Sequence, residues 1–261
     1  MRLSTEKIAV EDGQSIVLDF IEPERADGGK TAVFVHGFGS HRRGDKAVYF
    51  GRQFAAAGWH FMSVDLRGHG DSDGTMLQHS LSRCLADLTA AMDWLPRRLA
   101  PPLLIGSSMG GSVSAWFNLL HPGRCRALVG VAPSFIFPGH YARRLTPEEM
   151  EDWRRTGRRT VKNEWLDIEV GYSVVEDGKQ YDPQRLVAEH DLPTLIFHGL
   201  RDTSVDWRQS VAFLEHCPRE DIHLVLLKHG DHRLTAHKAY MFDVMAAWLA
   251  GRDVPEEAPE W

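Results

Sequence analysis

The sequence predicts an α/β domain: a mostly parallel central sheet with helices on both faces, interrupted by an inserted cap segment. Three observations carry that expectation. Short apolar runs alternate with helical patterns along most of the chain, the rhythm of strand–helix–strand units. Most of those runs are apolar at every position, as strands buried on both faces of a parallel sheet must be. The alternation then lapses between residues 133 and 190, far longer than the usual connection of about 2–6 residues plus one helix.

The chain opens on two β-prone runs, Ile8–Val10 and Ser15–Phe20, with Asp12-Gly13 between them as a hairpin turn signal. Strands follow at Ala32–Val35, Phe61–Val64, Leu103–Ile105, Ala127–Val131, Thr194–Phe197 and Ile222–Leu227. Val113, Trp116, Phe117 and Leu120 mark one face of a helix that His121-Pro122-Gly123 stops. Trp207, Val211 and Leu214 mark another, and Met241, Met245 and Trp248 the last. Right-handed crossovers join such units. Residues 1–132 and 191–261 therefore make the core, and 133–190 the cap. The cap holds Phe135, Phe137, Tyr141, Trp153, Trp165 and Tyr172 among many charges. Ligands of open α/β sheets bind beyond the carboxyl ends of strands, where an insertion after a strand lies. The other reading is a peripheral helical insertion with its own core. The tail Val254–Trp261, with its prolines and glutamates, is expected to be mobile.

With 261 residues, 43% hydrophobic and 25% charged, the chain is long enough for one large α/β domain or two small ones, with the composition of a soluble globular protein. Its net charge of −6 and lack of a basic stripe exclude a nucleic-acid footprint. Arg154-Arg155 and Arg158-Arg159 follow Glu148, Glu149, Glu151 and Asp152, which reads as a mixed-charge solvated helix. Cys84, Cys125 and Cys217 form no C-x-x-C pair, and their odd number argues against a disulfide framework. Cys84 shares a helical face with Leu81, Leu85 and Leu88 and reads as a small buried hydrophobe. A reducing compartment fits. Met1–Lys7 lacks a signal-peptide core, and no stretch nears the ~18 apolar residues of a membrane span, so cytoplasmic residence is the expectation. His41, His79, His140, His190 and His237 show no metal-ligand spacing, and neither metal nor cofactor is expected. Oligomeric state is not legible.

The most informative stretch is Gly106-Ser107-Ser108-Met109-Gly110, between an apolar run and a helical pattern. This G-x-S-x-G layout predicts a strand, a strained turn with Ser108 at its tip, and a helix. A side chain at either flanking glycine would clash. A serine hydroxyl is a poor nucleophile, so Ser108 needs a base, and the base a carboxylate that fixes its tautomer. Asp202 stands in the loop after the Thr194–Phe197 strand, and His232 in the loop after the last strand. His229 is the rival base, but it lies nearer the strand and is expected deeper. Asp206 rivals Asp202, but reads as the N-cap of the helix at Trp207. Asp231 adjoins His232, and neighbouring loop side chains seldom point the same way. The backbone N–H groups of Met109, after the nucleophile, and of Phe38, in His36-Gly37-Phe38-Gly39-Ser40, are the expected oxyanion donors. His36 and His69 read as structural. Asp65–Ser72 reads as a tight loop near the site.

Taken together, H-G-F-G at 36–39, D-L-R-G-H-G-D-S at 65–72, G-S-S-M-G at 106–110, Asp202 of G-L-R-D and His232 of G-D-H resemble the α/β-hydrolase family across nearly the whole chain. A closer likeness is to its palmitoyl-protein and acyl-thioesterase-like branch. There the run Leu128–Ala132 and the ending Lys228-His229-Gly230-Asp231-His232-Arg233 have similar counterparts. The resemblance implies an α/β-hydrolase fold and acyl transfer from a small-molecule ester or thioester to water. Mitochondrial members carry a transit peptide for which this chain shows no counterpart, so that location is not carried over. Serine at 108 argues against dehalogenase or epoxide-hydrolase chemistry, which the resemblance would place on an aspartate. Amide or carbon–carbon bond hydrolysis on the same residues, or a non-catalytic receptor with a relic triad, remain the alternatives.

Overall fold

The computed structural model describes residues 1–139, 144–162 and 166–253. His140, Tyr141, Trp165 and the Val254–Trp261 tail lie outside the described residues. In chain order the strands are β1 (Arg2–Ala9), β2 (Ser15–Glu22), β3 (Thr31–Val35), β4 (His60–Asp65), β5 (Leu103–Ser107), β6 (Ala127–Val131), β7 (Arg158–Lys162), β8 (Asp167–Gly171), β9 (Thr194–Gly199) and β10 (Ile222–Leu227). The helices are α1 (Asp45–Ala56), α2 (Leu81–Trp94), α3 (Met109–Leu120), α4 (Pro147–Thr156), α5 (Ser173–Gly178), α6 (Pro183–Ala188), α7 (Arg208–His216) and α8 (Lys238–Asp253).

Eight strands form one sheet in the order β1-β2-β4-β3-β5-β6-β9-β10. β2 pairs antiparallel with β1 and β4, and every other pairing is parallel. From β3 the chain winds outward to β4, then crosses back to β5 on the other side of β3. The loops leaving β3 and β5 thus diverge above neighbouring strands, which opens a crevice at the switch point.

The two-residue period of the strands splits the core into layers on the two faces. Val33, Val35, Met62, Val64 and Leu104 pack against α2 and α3 through Leu81, Cys84, Leu88, Trp116 and Phe117. Ala32, Phe34, Phe61, Ile105 and Phe197 pack the other way, against Phe50 and Phe54 of α1 and Met241 and Met245 of α8. Cys84 is buried among leucines as expected. β1 begins at Arg2 rather than Ile8. It is an edge strand with alternating exposure, so its polar half leaves no apolar run to read.

Within 133–190, α4 carries the capping box Thr146–Glu149 and the pairs Arg154–Glu151 and Arg155–Asp152. The mixed-charge helix ends earlier than the sequence implied. Gly157 takes φ 72°, the left-handed conformation glycine tolerates, and Arg158 and Arg159 fall on β7 of a two-stranded antiparallel β7–β8 ribbon. Trp153 is buried, and its indole N–H donates to the Val170 carbonyl at 3.1 Å. Trp153, Val170, Val174 and Leu186 belong to the same apolar cluster as α2, α3 and that face of the sheet. Among the described residues, no helix is long and apolar enough to cross a membrane.

Candidate active site

β5 delivers Ser108 onto the first turn of α3 with φ 52° and ψ −117°. A non-glycine residue held there stores about 1–3 kcal/mol of strain. The flanking glycines are needed for closeness. A Cβ on Gly106 would lie 2.4 Å from the Gly110 carbonyl oxygen, and one on Gly110 would lie 2.1 Å from that of Val35. The turn is therefore wedged between its own helix and β3, and the hydroxyl is thrust off the end of the sheet.

Three of the residues singled out in the sequence meet there. His232 Nε2 lies 3.0 Å from Ser108 Oγ, and His232 Nδ1 lies 2.7 Å from Asp202 Oδ2. An ionised carboxylate only accepts, so Nδ1–H donates to Asp202 and Nε2 is left to accept from the serine hydroxyl. The Asp202 side chain is fully buried. Its Oδ1 accepts the backbone N–H groups of Ser204 and Val205, each at 2.8 Å. Burial alone would raise its pKa. The hydrogen bonds from His198, His232 and the backbone outweigh that and hold the carboxyl well below its ordinary range.

The rivals lie elsewhere. His229 is exposed, not deep as expected: β10 is an edge strand, and the turn after it points this side chain to solvent. Asp206 Oδ1 accepts the Arg208 N–H at 3.0 Å at the start of α7, and Asp231 Oδ1 accepts the Leu234 N–H at 2.8 Å. Both carboxylates shape turns.

Sequence reasoning missed His198. It sits on β9, fully buried, with Nε2 donating to Asp202 Oδ2 at 3.1 Å and Nδ1 2.8 Å from Ser210 Oγ. Two imidazoles thus share one carboxylate oxygen, and His198 fixes Asp202 from beneath. A polar residue inside the apolar Thr194–Phe197 run's continuation was the available signal.

The loop after β3 brings Phe38 to the cavity, beside Met109, the first residue of α3, whose N–H has no partner one turn earlier. Several anchors fix this loop. His36 donates from Nδ1 to Gly37 O at 2.8 Å and accepts the Leu66 N–H on Nε2 at 3.1 Å. Burial pushes its pKa well below the usual imidazole value, in keeping with the structural role expected. Arg42 is buried and bonds Asp65, Asp71 and Asp19. Asp65 also accepts the Asp71 N–H at 2.9 Å, and a Cβ on Gly70 would collide with its carboxylate. The Asp65–Ser72 stretch is thus a clamp on the loop that carries Phe38. His69 packs on His36 at 4.7 Å between ring centroids, and has no place beside Ser108.

These loops enclose a cavity of about 460 Å³ over Ser108 and His232. Phe38, Phe137, Val161 and Leu166 contribute to its apolar lining, with Phe34, Met109 and Val205 among the others. Of the other aromatic residues in 133–190, Phe135 stacks on Phe213 at 4.1 Å and Trp153 packs edge-on to Tyr172. These three pack the interior and do not line the cavity.

The profile of the family described as serine aminopeptidase, S33 matches residues 29–166, just over half of the chain. Mitochondrial palmitoyl-protein thioesterase ABHD10 of Mus musculus is 25% identical over 214 residues, covering 79% of this chain and 70% of that protein. A monoacylglycerol lipase of Mycolicibacterium smegmatis is 25% identical over 241 residues, covering 81% and 84%. The solved structure of mouse α/β hydrolase domain-containing protein 10 superposes with a TM-score of 0.84 at 20% identity, over 96% of this chain and 100% of that one, a likeness of fold. On the family match and the shared architecture together, the chain belongs to the serine aminopeptidase, S33 family and is an α/β-hydrolase.

Proposed function

We propose that the chain is a serine hydrolase that cleaves carboxylic ester or thioester bonds through an acyl-enzyme on Ser108. The observation that carries this reading is the continuous relay Ser108–His232–Asp202, at 3.0 and 2.7 Å. A nucleophile, a base and an orienting acid in mutual contact at a cavity floor can perform acyl transfer.

Ser108 Oγ bonds to the substrate carbonyl carbon while His232 Nε2 takes the hydroxyl proton, and the carbonyl oxygen becomes an oxyanion facing the Phe38 and Met109 N–H groups. The C–O or C–S bond then breaks, and the leaving group takes the proton from His232. Water attacks the acyl carbon and gives a proton to His232. Release of the acid returns that proton to Ser108. Asp202 stays ionised throughout and stabilises the imidazolium. In this reading residues 133–190 act as a cap, and Phe137, Val161 and Leu166 with Phe38 form the wall against which an apolar acyl chain lies.

The test is p-nitrophenyl hexanoate under rapid mixing with acid quench. The reading expects a nitrophenolate burst equal to the enzyme and a hexanoyl mass increment on the peptide containing Ser108. Wild-type turnover in Ser108→Ala would overturn it. The family's description names an aminopeptidase, which favours amide cleavage as a second reading. Faster turnover of hexanoyl-p-nitroanilide than of the ester would establish that reading instead.

A further inference from the structure

The relay and the apolar wall leave part of the cavity lining without a role. Arg43, Lys46, Arg144 and Arg233 all line it, and among the described residues its acidic lining is Asp45 alone. Arg43 is committed to Asp19, with Nε 2.7 Å from the carboxylate. Lys46 and Arg144 are placed differently. Lys46 Nζ donates to the carbonyl oxygen of Arg233, the residue after His232, at 2.6 Å. Arg144, from the inserted segment, donates to the carbonyls of Ser204 at 2.8 Å and Thr203 at 3.3 Å, in the loop that carries Asp202. Among the described residues neither lies within ion-pair distance of a carboxylate. Carbonyl oxygens orient these cations at the cavity, and the carboxylates of Asp231 and Asp45 act on Lys46 only from beyond ion-pair distance.

We propose that Lys46 and Arg144 form an anion clamp that selects substrates whose leaving group carries a phosphate or a carboxylate. This rests on the reading of Ser108 given above. The leaving atom must take its proton from His232 Nε2, so the leaving group lies beside His232. Lys46 is tied to the residue after His232 and Arg144 to the loop of its aspartate partner, and both line the same cavity as Ser108 and His232, which puts them within the space a leaving group enters. The acyl chain has its own apolar wall. Burial, with the like charge of Arg233, holds the Lys46 pKa down to about 8, a cost that a bound anion relieves.

The test is kcat/KM on two matched thioester pairs: hexanoyl-4′-phosphopantetheine against hexanoyl-pantetheine, and S-hexanoyl-3-mercaptopropionate against its 3-mercaptopropanol counterpart. The clamp predicts a preference of about tenfold or more for the charged member at low salt, weakened as salt screens the pair over a Debye length of about 8 Å or less. Preference in the first pair alone assigns phosphate; preference in the second as well means a carboxylate suffices. The ratio falls close to one in Lys46→Gln/Arg144→Gln and survives in Lys46→Arg. Because each ratio is taken within one variant, any general loss of folded enzyme cancels. A ratio near one for both pairs in the wild type, or an unchanged ratio in the double variant, overturns the clamp. Hydrolysis of the neutral thioesters by Ser108→Ala would instead overturn the reading of Ser108, whatever the ratios.

Discussion

Ser108, Asp202 and His232 stand where β5, β9 and β10 end, whereas Phe137, Arg144, Val161 and Leu166 reach the same cavity from the segment between β6 and β9. The first set is fixed by backbone. Parallel strands hold the loop bases in register, and close glycine contacts at 106 and 110 leave the elbow one shape. The second set is fixed by side-chain packing: Trp153 on Val170, and Leu166 and Ile168 over Gly39, where a Cβ would lie 2.2 Å from Leu166. A site built this way can keep its chemistry while its lining varies, since strand ends set the one and side-chain packing sets the other.

Substitutions should separate the regions. Ser108→Ala or His232→Ala should lower kcat by about 10⁴–10⁶-fold with the fold intact, read by stopped-flow and circular dichroism. Asp202→Asn should cost about 10⁴-fold, because the amide favours the wrong tautomer of His232. In the inserted segment the losses should appear elsewhere. Trp153→Ala should destabilise the protein by about 3–5 kcal/mol in urea unfolding while the rate of the chemical step in folded enzyme persists. Phe137→Ala should weaken the preference for longer acyl chains, by up to about fourfold for each methylene that loses its contact. If Trp153→Ala or Phe137→Ala abolished the chemical step, the division between backbone-set chemistry and packing-set lining would fall.

A smaller effect concerns pH. Burial holds His79 down to about 3 and lowers His36 and His69 as well, all three close to Phe38. The unfolded chain binds protons at these histidines near their ordinary value of about 6.5, and the folded chain does not. The contribution of His79 is therefore complete above about pH 6.5 and shrinks as pH falls toward 3, by about 1.4 kcal/mol per pH unit, and His36 and His69 add losses of the same sign below about pH 6.5. Asp202, held low, adds stability above its ordinary value of about 3.9 that is lost as pH falls below it. His79→Phe should flatten the slope of urea midpoint against pH between 4 and 6; an unchanged slope would contradict the assignment.

The elbow could be read from the chain because its constraints are local: a strand, two obligatory glycines and a helix start within a few residues. Asp202 and His232 could be read because each follows an apolar strand in the expected order. His198 could not, since its role depends on Ser210 and Asp202 folding onto it. The Arg42 clamp joins Asp19, Asp65 and Asp71, brought together only by β2 and β4 pairing. The β7–β8 ribbon was invisible for another reason. It is half-exposed and charged, with Arg158, Arg159 and Lys162 on one strand, so it offers no apolar run. His229 shows the limit of arguing depth from distance along the chain, because a turn off an edge strand can face water.

The central claim is that one hydroxyl, activated by one imidazole, does the chemistry. Reaction with a fluorophosphonate followed by peptide mass analysis tests it most directly. The account predicts a single adduct on Ser108, absent in Ser108→Ala and formed at least about 10³-fold more slowly in His232→Ala. An adduct on another residue, or equal labelling of the wild type and His232→Ala, would contradict it.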